Sequence, residues 1–412
     1  MKYGLIGEKL GHSFSREIHA YLSDYKYELL ELSREELAPF IKGRDFLGIN
    51  VTIPYKEAVI PYLDFLDESA EKIGAVNTVV NRGGKLYGYN TDYLGMRALI
   101  ENVGIALSGR KVAVLGTGGT SKTARAVAES LGADKIIVVS RKKGDGLITY
   151  DELYEFHSDT EVIINTTPVG MFPSSQATPV NPAAFDRLVG VIDAVYNPQN
   201  TLLVRRAREM GAKAAGGLYM LVAQAYYASE LFLDTKYPPG KIKEIYKAIK
   251  SKKENIVLIG MPASGKSTVG QIIAKAQGRE FVDTDDMIAD AAGITVPEIF
   301  ERYGEAHFRR LECEAIRLAS MKVGAVIATG GGAVLNPENI DALRQNGRIY
   351  FIDRPLLSLV PTEDRPLSST REAIEKRYRE RYPIYLASLD VHVDADTSAE
   401  CVAKIIMGEH AK

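Results

Sequence analysis

Tryptophan is missing from the 412 residues, and cysteine occurs only as Cys313 and Cys401. Two thiols supply neither a disulfide framework nor a metal cluster. No apolar stretch approaches the length of a membrane span, and Met1-Lys-Tyr-Gly lacks the long apolar segment of a signal peptide. Charge of one sign is also scarce: 51 Lys and Arg stand against 53 Asp and Glu, a net −2. That balance argues against a general nucleic-acid or membrane-surface binder, which carries a basic excess. No low-complexity tract interrupts the chain. The expectation left by these absences is a cytoplasmic protein whose partners include neither nucleic acid nor membrane. They are silent on oligomeric state.

What is present reads as an ordinary α/β protein. A composition 46% hydrophobic and 25% charged is globular, and the length suits two or three domains. The most specific stretch is Gly260-Met-Pro-Ala-Ser-Gly-Lys-Ser267. The apolar run Asn255–Ile259 before it suits a buried strand, and an amphipathic helical pattern begins at Thr268. A glycine-rich turn between strand and helix directs backbone N–H groups at phosphate oxygens, aided by the helix N-terminus. Gly260, Ser264, Gly265 and Thr268 belong to this expected cradle, with Lys266 on the β- and γ-phosphates and Ser267 on Mg²⁺. A structural glycine turn is the plainer alternative, but strand, loop and helix come in the right order. Acids follow at Asp283, suited to Mg²⁺ or its waters, and at Asp285, suited to a hydroxyl acceptor. The run 325–329 reads as a strand ending at Gly330, Gly331 and Gly332, where a ligand can approach the backbone. Arg309, Arg365 and Arg381 suit carboxylate and phosphate groups.

The first half carries a second glycine turn. A strand over 111–115 leads to Gly116, Gly118, Gly119 and Ser121 and an alanine-rich helix, which fits the dinucleotide template apart from serine in the third slot. The next strand, 135–139, ends in Ser140-Arg141-Lys142-Lys143, where an NAD site would carry an acid. Guanidinium and ammonium groups there suit a 2′-phosphate, so NADP is expected rather than NAD. Upstream, 48–54 reads as a β-branched strand ending at Pro54, with Lys56 just past it. Lys56 and Asp92, brought together, could transfer a proton, the carboxylate orienting the ammonium; from spacing alone a surface salt bridge is the simpler reading. Ser13 and Ser15 could face one small polyol, or could simply start a helix whose one face carries Ile18, Tyr21 and Leu22. Gln224, on a helix with an apolar face, is a ligand contact or a plain surface amide.

Seven ordered stretches within residues 1–235 resemble the shikimate dehydrogenase family: G-L-I-G with L-G-H-S-F-S, G-I-N-V-T-I-P-Y-K, G-A-V-N-T, G-Y-N-T-D, G-T-G-G, D-A-V-Y-N-P and M-L-V-A-Q. The resemblance implies reduction of 3-dehydroshikimate by NADPH, with Lys56 and Asp92 as the catalytic pair. It also implies substrate contacts at Ser13, Ser15, Thr52, Asn77, Asp92, Tyr196 and Gln224, and puts Met171 on the cofactor side. Residues 254–408 resemble the shikimate kinase family. That implies phosphorylation of shikimate by ATP, acceptor contacts at Asp285, Arg309, Gly331, Gly332 and Arg381, and a lid arginine at Arg365. The stretch 356–364 looks shorter than the usual lid approach and lacks the basic residue often placed before the lid.

The implied fold class is α/β throughout. An N-terminal α/β substrate domain (residues 1–98 and 212–250) brackets a Rossmann NADP domain (99–211), and a P-loop NMP-kinase-like α/β domain follows over 251–412. Lys236-Tyr-Pro-Pro-Gly240 breaks structure, and the basic, helical run 241–253 makes the join. Two rivals remain at this stage. One is a binding or regulatory protein with one degenerate half; the other is a P-loop ATPase acting on nucleic acid, which the charge balance disfavours.

Overall fold

Three sheets organise the chain in the computed structural model, which describes residues 2–11, 13–359 and 370–411. The chain divides into two units, Met1–Ile249 and Lys250–Lys412. Arg365 lies outside the described residues.

The first unit holds two of the sheets. Strands β1 (Tyr3–Gly7), β2 (Tyr27–Glu31), β3 (Gly48–Val51), β4 (Phe65–Leu66), β5 (Thr78–Arg82) and β6 (Lys85–Tyr89) form a mixed sheet in the order β2-β1-β3-β5-β6-β4. Strand β1 pairs in parallel with β2 and β3, whereas β5 is antiparallel to β3 and β6. Strands β7 (Lys111–Leu115), β8 (Lys135–Val139), β9 (Leu147–Ile148), β10 (Val162–Asn165), β11 (Gly190–Asp193) and β12 (Lys213–Ala215) make the second sheet, in the order β12-β11-β10-β7-β8-β9. All its pairings are parallel. Every residue of β10 and β11 is buried, which is why both read as continuous apolar runs rather than as alternation.

Two long helices, Thr91–Val103 and Leu218–Leu233, pack on one another between these sheets. Gly95 permits the crossing: a Cβ there would stand 2.7 Å from the Met220 carbonyl oxygen and 3.1 Å from Gln224 Cβ. Close approach at that glycine sets the helix that carries Asp92 against the helix that carries Gln224.

The second unit holds one parallel sheet of β13 (Asn255–Ile259), β14 (Phe281–Asp283), β15 (Val326–Ala328), β16 (Gly347–Asp353) and β17 (Val391–Asp394), in the order β14-β15-β13-β16-β17. Strand β13 is central and wholly buried, and the glycine turn leaves its C-terminal end into the helix Lys266–Gln277. In a parallel sheet that edge collects the strand-end loops, so residues following β14, β15 and β16 converge there.

The structure corrects two local expectations. The strand expected to reach Pro54 stops at Val51, because the chain turns there and the Tyr55 amide donates to the Thr52 carbonyl at 2.9 Å. Tyr21 follows the short helix Ser15–Ala20 and is exposed, so only Ile18 and Leu22 of the expected face are buried. Asp285 sits in the first turn of the helix Thr284–Ala292, which Asp283 caps. The helical span Val296–Ser320 is two segments meeting at Gly304, whose φ of 77° only glycine adopts freely.

Candidate active sites

In the first unit Lys56 and Asp92 meet: Lys56 Nζ donates to Asp92 Oδ2 at 2.5 Å, with the two side chains 19% and 13% exposed. A surface salt bridge would be more open than this. Lys56 comes from the turn after β3, where its own carbonyl accepts from the Val76 amide. Asp92 lies in the first turn of its helix, where a carboxylate is favoured by the helix dipole.

That helix start is fixed by a buried amide network. Asn77 Oδ1 accepts from the Thr91 amide at 2.7 Å, and Asn77 Nδ2 donates to Thr91 Oγ1 at 3.0 Å. Asn90 caps the helix through the Tyr93 amide and donates to the Ala75 carbonyl. Behind them Asn50 donates to the Asn77 carbonyl and to Thr78 Oγ1, and accepts from the Tyr27 hydroxyl at 2.7 Å. Asn77 thus holds the Asp92 turn through Oδ1 and one hydrogen of Nδ2. Asn50 and Thr91 were not assigned this role from the sequence, since their partners lie 23–28 and 13–14 residues away.

The remaining expected polyol contacts make local bonds. Ser13 Oγ accepts from the Ser15 amide at 3.2 Å, and Ser15 is buried as the first residue of its helix. The Thr52 amide donates to the Ile6 carbonyl, while Thr52 itself is half-buried. Tyr196 packs edge-on against Phe14, and burial pushes its phenol upward. Gln224 is buried rather than a plain surface amide, its Nε2 donating to the Leu221 carbonyl. A second cavity, of about 530 Å³, opens beside Tyr89, Asn90, Tyr93 and Tyr227 and includes neither Lys56 nor Asp92.

At the second sheet, Gly116 has φ 106°, and a Cβ there would stand 2.9 Å from Thr166 Oγ1. Gly118 and Gly119 face open space, with no atom within 4 Å of where a Cβ would be. Serine in the third slot has a physical reason: buried Ser121 Oγ donates to the Gly116 carbonyl at 2.7 Å and ties the turn to its own helix. Ser140 follows β8, its hydroxyl oxygen accepting from the Lys142 amide, and Arg141 and Lys142 are exposed beside it. Met171 is exposed on the loop after β10.

Asp193, at the end of β11, had no assigned role. It is fully buried and accepts from Thr201 Oγ1 at 2.6 Å, Asn165 Nδ2 at 2.9 Å and the Val195 amide at 3.0 Å. Burial nevertheless pushes its carboxyl up to about 6. A folded pKa above the unfolded one means that this group stabilises the fold most below its unfolded pKa. That contribution is lost as pH rises through about 6. Asp193→Asn should therefore flatten the pH dependence: relative to wild type, the variant gains about 1–3 kcal/mol between pH 4.5 and 7.5. Urea denaturation followed by far-ultraviolet circular dichroism at the two pH values checks this. Parallel curves for the two proteins would refute it.

In the second unit the turn residues Ala263 and Gly265 take φ of 63° and 93°, and the Ser264 amide between them donates to the Met261 carbonyl at 3.2 Å. Lys266 is only 7% exposed, and its Nζ donates to the carbonyls of Gly260 and Met261 at 3.0 and 2.9 Å. Ser264 Oγ is buried, with no hydrogen-bond partner among the described residues. Ser267 Oγ donates to Asp283 Oδ2 at 2.6 Å, so two oxygen donors stand together beside the turn. Thr268 follows on the same helix and, with them, lines a cavity of about 740 Å³.

The far wall of that cavity is built from arginines and glycines. Arg309 donates to Glu312 at 2.7 Å and lies so close to Gly332 that any Cβ there would collide with its guanidinium. Arg381 donates to the Gly331 carbonyl at 2.9 Å, and a Cβ on Gly331 would meet the Pro262 ring at 2.8 Å. Burial raises the Glu312 carboxyl, with Arg309 and Arg381 opposing that rise. Asp285 lines the same space, next to Gly330. Arg354 and Arg377 also line it, and neither was singled out from the sequence. Arg354 had one usable signal, its place one residue beyond a strand of the phosphate-bearing edge.

Fold and sites together define a two-part α/β enzyme, a dinucleotide-type oxidoreductase unit followed by a P-loop phosphotransferase unit. Residues 5–79 match the family model for the shikimate dehydrogenase substrate binding domain, and residues 262–409 match shikimate kinase. The chain is 42% identical over 259 residues to a shikimate dehydrogenase (NADP(+)) of Clostridium beijerinckii, covering 58% of this chain and 95% of that one. Shikimate dehydrogenase 1 of Peptoclostridium difficile aligns with a TM-score of 0.56 at 40% identity, over 60% of this chain and 97% of that chain. The Thermus thermophilus enzyme, solved with NADP(H) and shikimate, aligns with a TM-score of 0.54 at 28% identity, over 60% of this chain and 99% of its own. The chain belongs to the shikimate dehydrogenase family and carries a shikimate kinase domain after it.

Proposed function

We propose that the first unit reduces 3-dehydroshikimate to shikimate with NADPH, and that the second phosphorylates the new hydroxyl with ATP to give shikimate 3-phosphate. The reading is carried by one juxtaposition: a largely enclosed Lys–Asp pair precedes, in the same chain, an arginine-walled P-loop cavity.

For the reduction, NADPH when bound supplies the hydride that reaches the carbonyl carbon. Lys56 donates the proton to the carbonyl oxygen, and Asp92 holds the ammonium in place. Ser13, Ser15, Thr52, Asn77, Tyr196 and Gln224 surround the ring hydroxyls and carboxylate. The open approach at Gly118 and Gly119 fits a dinucleotide pyrophosphate, and Ser140, Arg141 and Lys142 fit a 2′-phosphate.

For the transfer, Lys266 and the backbone of the glycine turn neutralise and position the phosphates. Arg309 and Arg381 take the acceptor carboxylate, Gly331 and Gly332 admit its ring, and Asp285 orients the attacking hydroxyl. Ser267 and Asp283 would hold Mg²⁺, which supplies charge neutralisation to the phosphates. Arg365 serves as the lid cation in this scheme.

One incubation with 3-dehydroshikimate, NADPH, ATP and Mg²⁺, read by mass spectrometry, tests the whole proposal. Shikimate 3-phosphate is the expected product. Shikimate accumulating without phosphorylation would overturn the kinase half, and no conversion would favour the binding-protein reading.

A further inference from the structure

We infer that Arg354 binds the phosphate chain of the nucleotide in the second unit, which makes it a further binding residue for phosphoryl transfer. The inference rests on the ATP reading above. Arg354 immediately follows β16, the strand paired with β13 on the side away from β15, so it leaves the same sheet edge as the glycine turn. The two are in contact range at their roots: a Cβ on Gly260 would stand 2.7 Å from the Ile352 carbonyl oxygen. At the tip, Arg354 Nη1 lies 3.8 Å from where a Cβ on Gly265 would be, beside the residue that precedes Lys266.

The guanidinium is placed but not spent. Arg354 lines the 740 Å³ cavity, and its Nε is buried with no hydrogen-bond partner among the described residues. The acid next to it in sequence is engaged elsewhere, since Asp353 Oδ2 accepts from the Tyr382 hydroxyl at 2.9 Å and faces His392 Nε2 at 2.8 Å. A buried N–H without an acceptor costs stability, which a site recovers when a ligand brings the acceptor. A planar guanidinium beside a turn built for phosphate matches phosphate oxygens two at a time, which an ammonium cannot do.

Its position also separates it from the other cavity arginines. Arg309 and Arg381 stand at Gly332 and Gly331, the acceptor end, and each already has a partner there. Arg354 stands at the turn itself, the donor end. Its loss should therefore be read in ATP, not in shikimate.

The test uses the full chain carrying Arg354→Met or Arg354→Lys, with ATP and shikimate varied separately. Arg354→Met should raise the KM for ATP about 10- to 100-fold, the range of one or two charge-assisted hydrogen bonds, while the KM for shikimate stays within about twofold. Arg354→Lys keeps the charge and loses the fork, so an intermediate KM for ATP is expected, and ADP titration calorimetry should follow the same order. An ATP KM unchanged within about twofold in both variants, with wild type active, overturns the inference. Equal loss for both substrates would also overturn it, as a structural role. Should Arg354→Met fail to fold, the lysine variant alone decides by the same criterion. A wild-type chain that reduces 3-dehydroshikimate but phosphorylates nothing removes the kinase reading and this inference with it.

Discussion

Lys56→Ala should lower the rate of 3-dehydroshikimate reduction by about 10²–10⁴-fold, the usual worth of a positioned proton donor. The same protein should phosphorylate added shikimate at the wild-type rate, because the P-loop cavity is built wholly from residues after 260. The substitution leaves the Asp92 carboxylate, 13% exposed, without its ammonium, so some loss of stability in the first unit is expected as well. Circular dichroism separates that loss from the chemical one. Reduction that persists near the wild-type rate in a folded Lys56→Ala protein would remove Lys56 from the mechanism. Asp92→Asn should do less damage, since the amide still places an oxygen near Nζ and loses only the charge of the pair.

The converse result is expected at Lys266. On the proposed reading Lys266→Met should cut phosphorylation by about 10²–10³-fold or more, since the turn loses its lysine cation. Reduction should be untouched. Methionine is the better replacement because the lysine stem is enclosed, and alanine would add a void to the chemical defect. The two carbonyls that Nζ now serves, on Gly260 and Met261, lose a donor either way. Spectrophotometric assays of NADPH oxidation and of ADP release report the two activities separately. Loss of both activities from either single substitution, in a folded protein, would contradict two independent sites.

How much of this could be read from the residues differs by site, for physical reasons. The glycine turns were legible because their backbone demands glycine at fixed offsets: Gly116, Gly260 and Gly265 all have positive φ. The parallel strands were legible because burial on both faces leaves an uninterrupted apolar run. Lys56 and Asp92 were legible only through resemblance, since nothing local signals that residues 36 apart will meet at 2.5 Å. Asn50, Thr91 and Asp193 were not legible as a supporting frame, because each works by closing hydrogen bonds with residues brought in by the sheet. The strand end at Val51 was missed for a simpler reason: β-branched residues continue past it, and only the turn at Thr52–Tyr55 overrides their preference.

One buried hydroxyl in the second unit has a wider meaning. Tyr385 is wholly buried, stacked on Phe351, and its single proton faces two carbonyl oxygens, Gly331 at 2.6 Å and Gly260 at 3.0 Å. One of these belongs to the three glycines that follow β15 and the other to the root of the turn that follows β13. A donor with one proton cannot satisfy both at full strength, so a shift that strengthens one contact weakens the other. On the proposed reading, a side chain that does not line the cavity would couple the two substrate subsites, and such coupling would act equally in both directions.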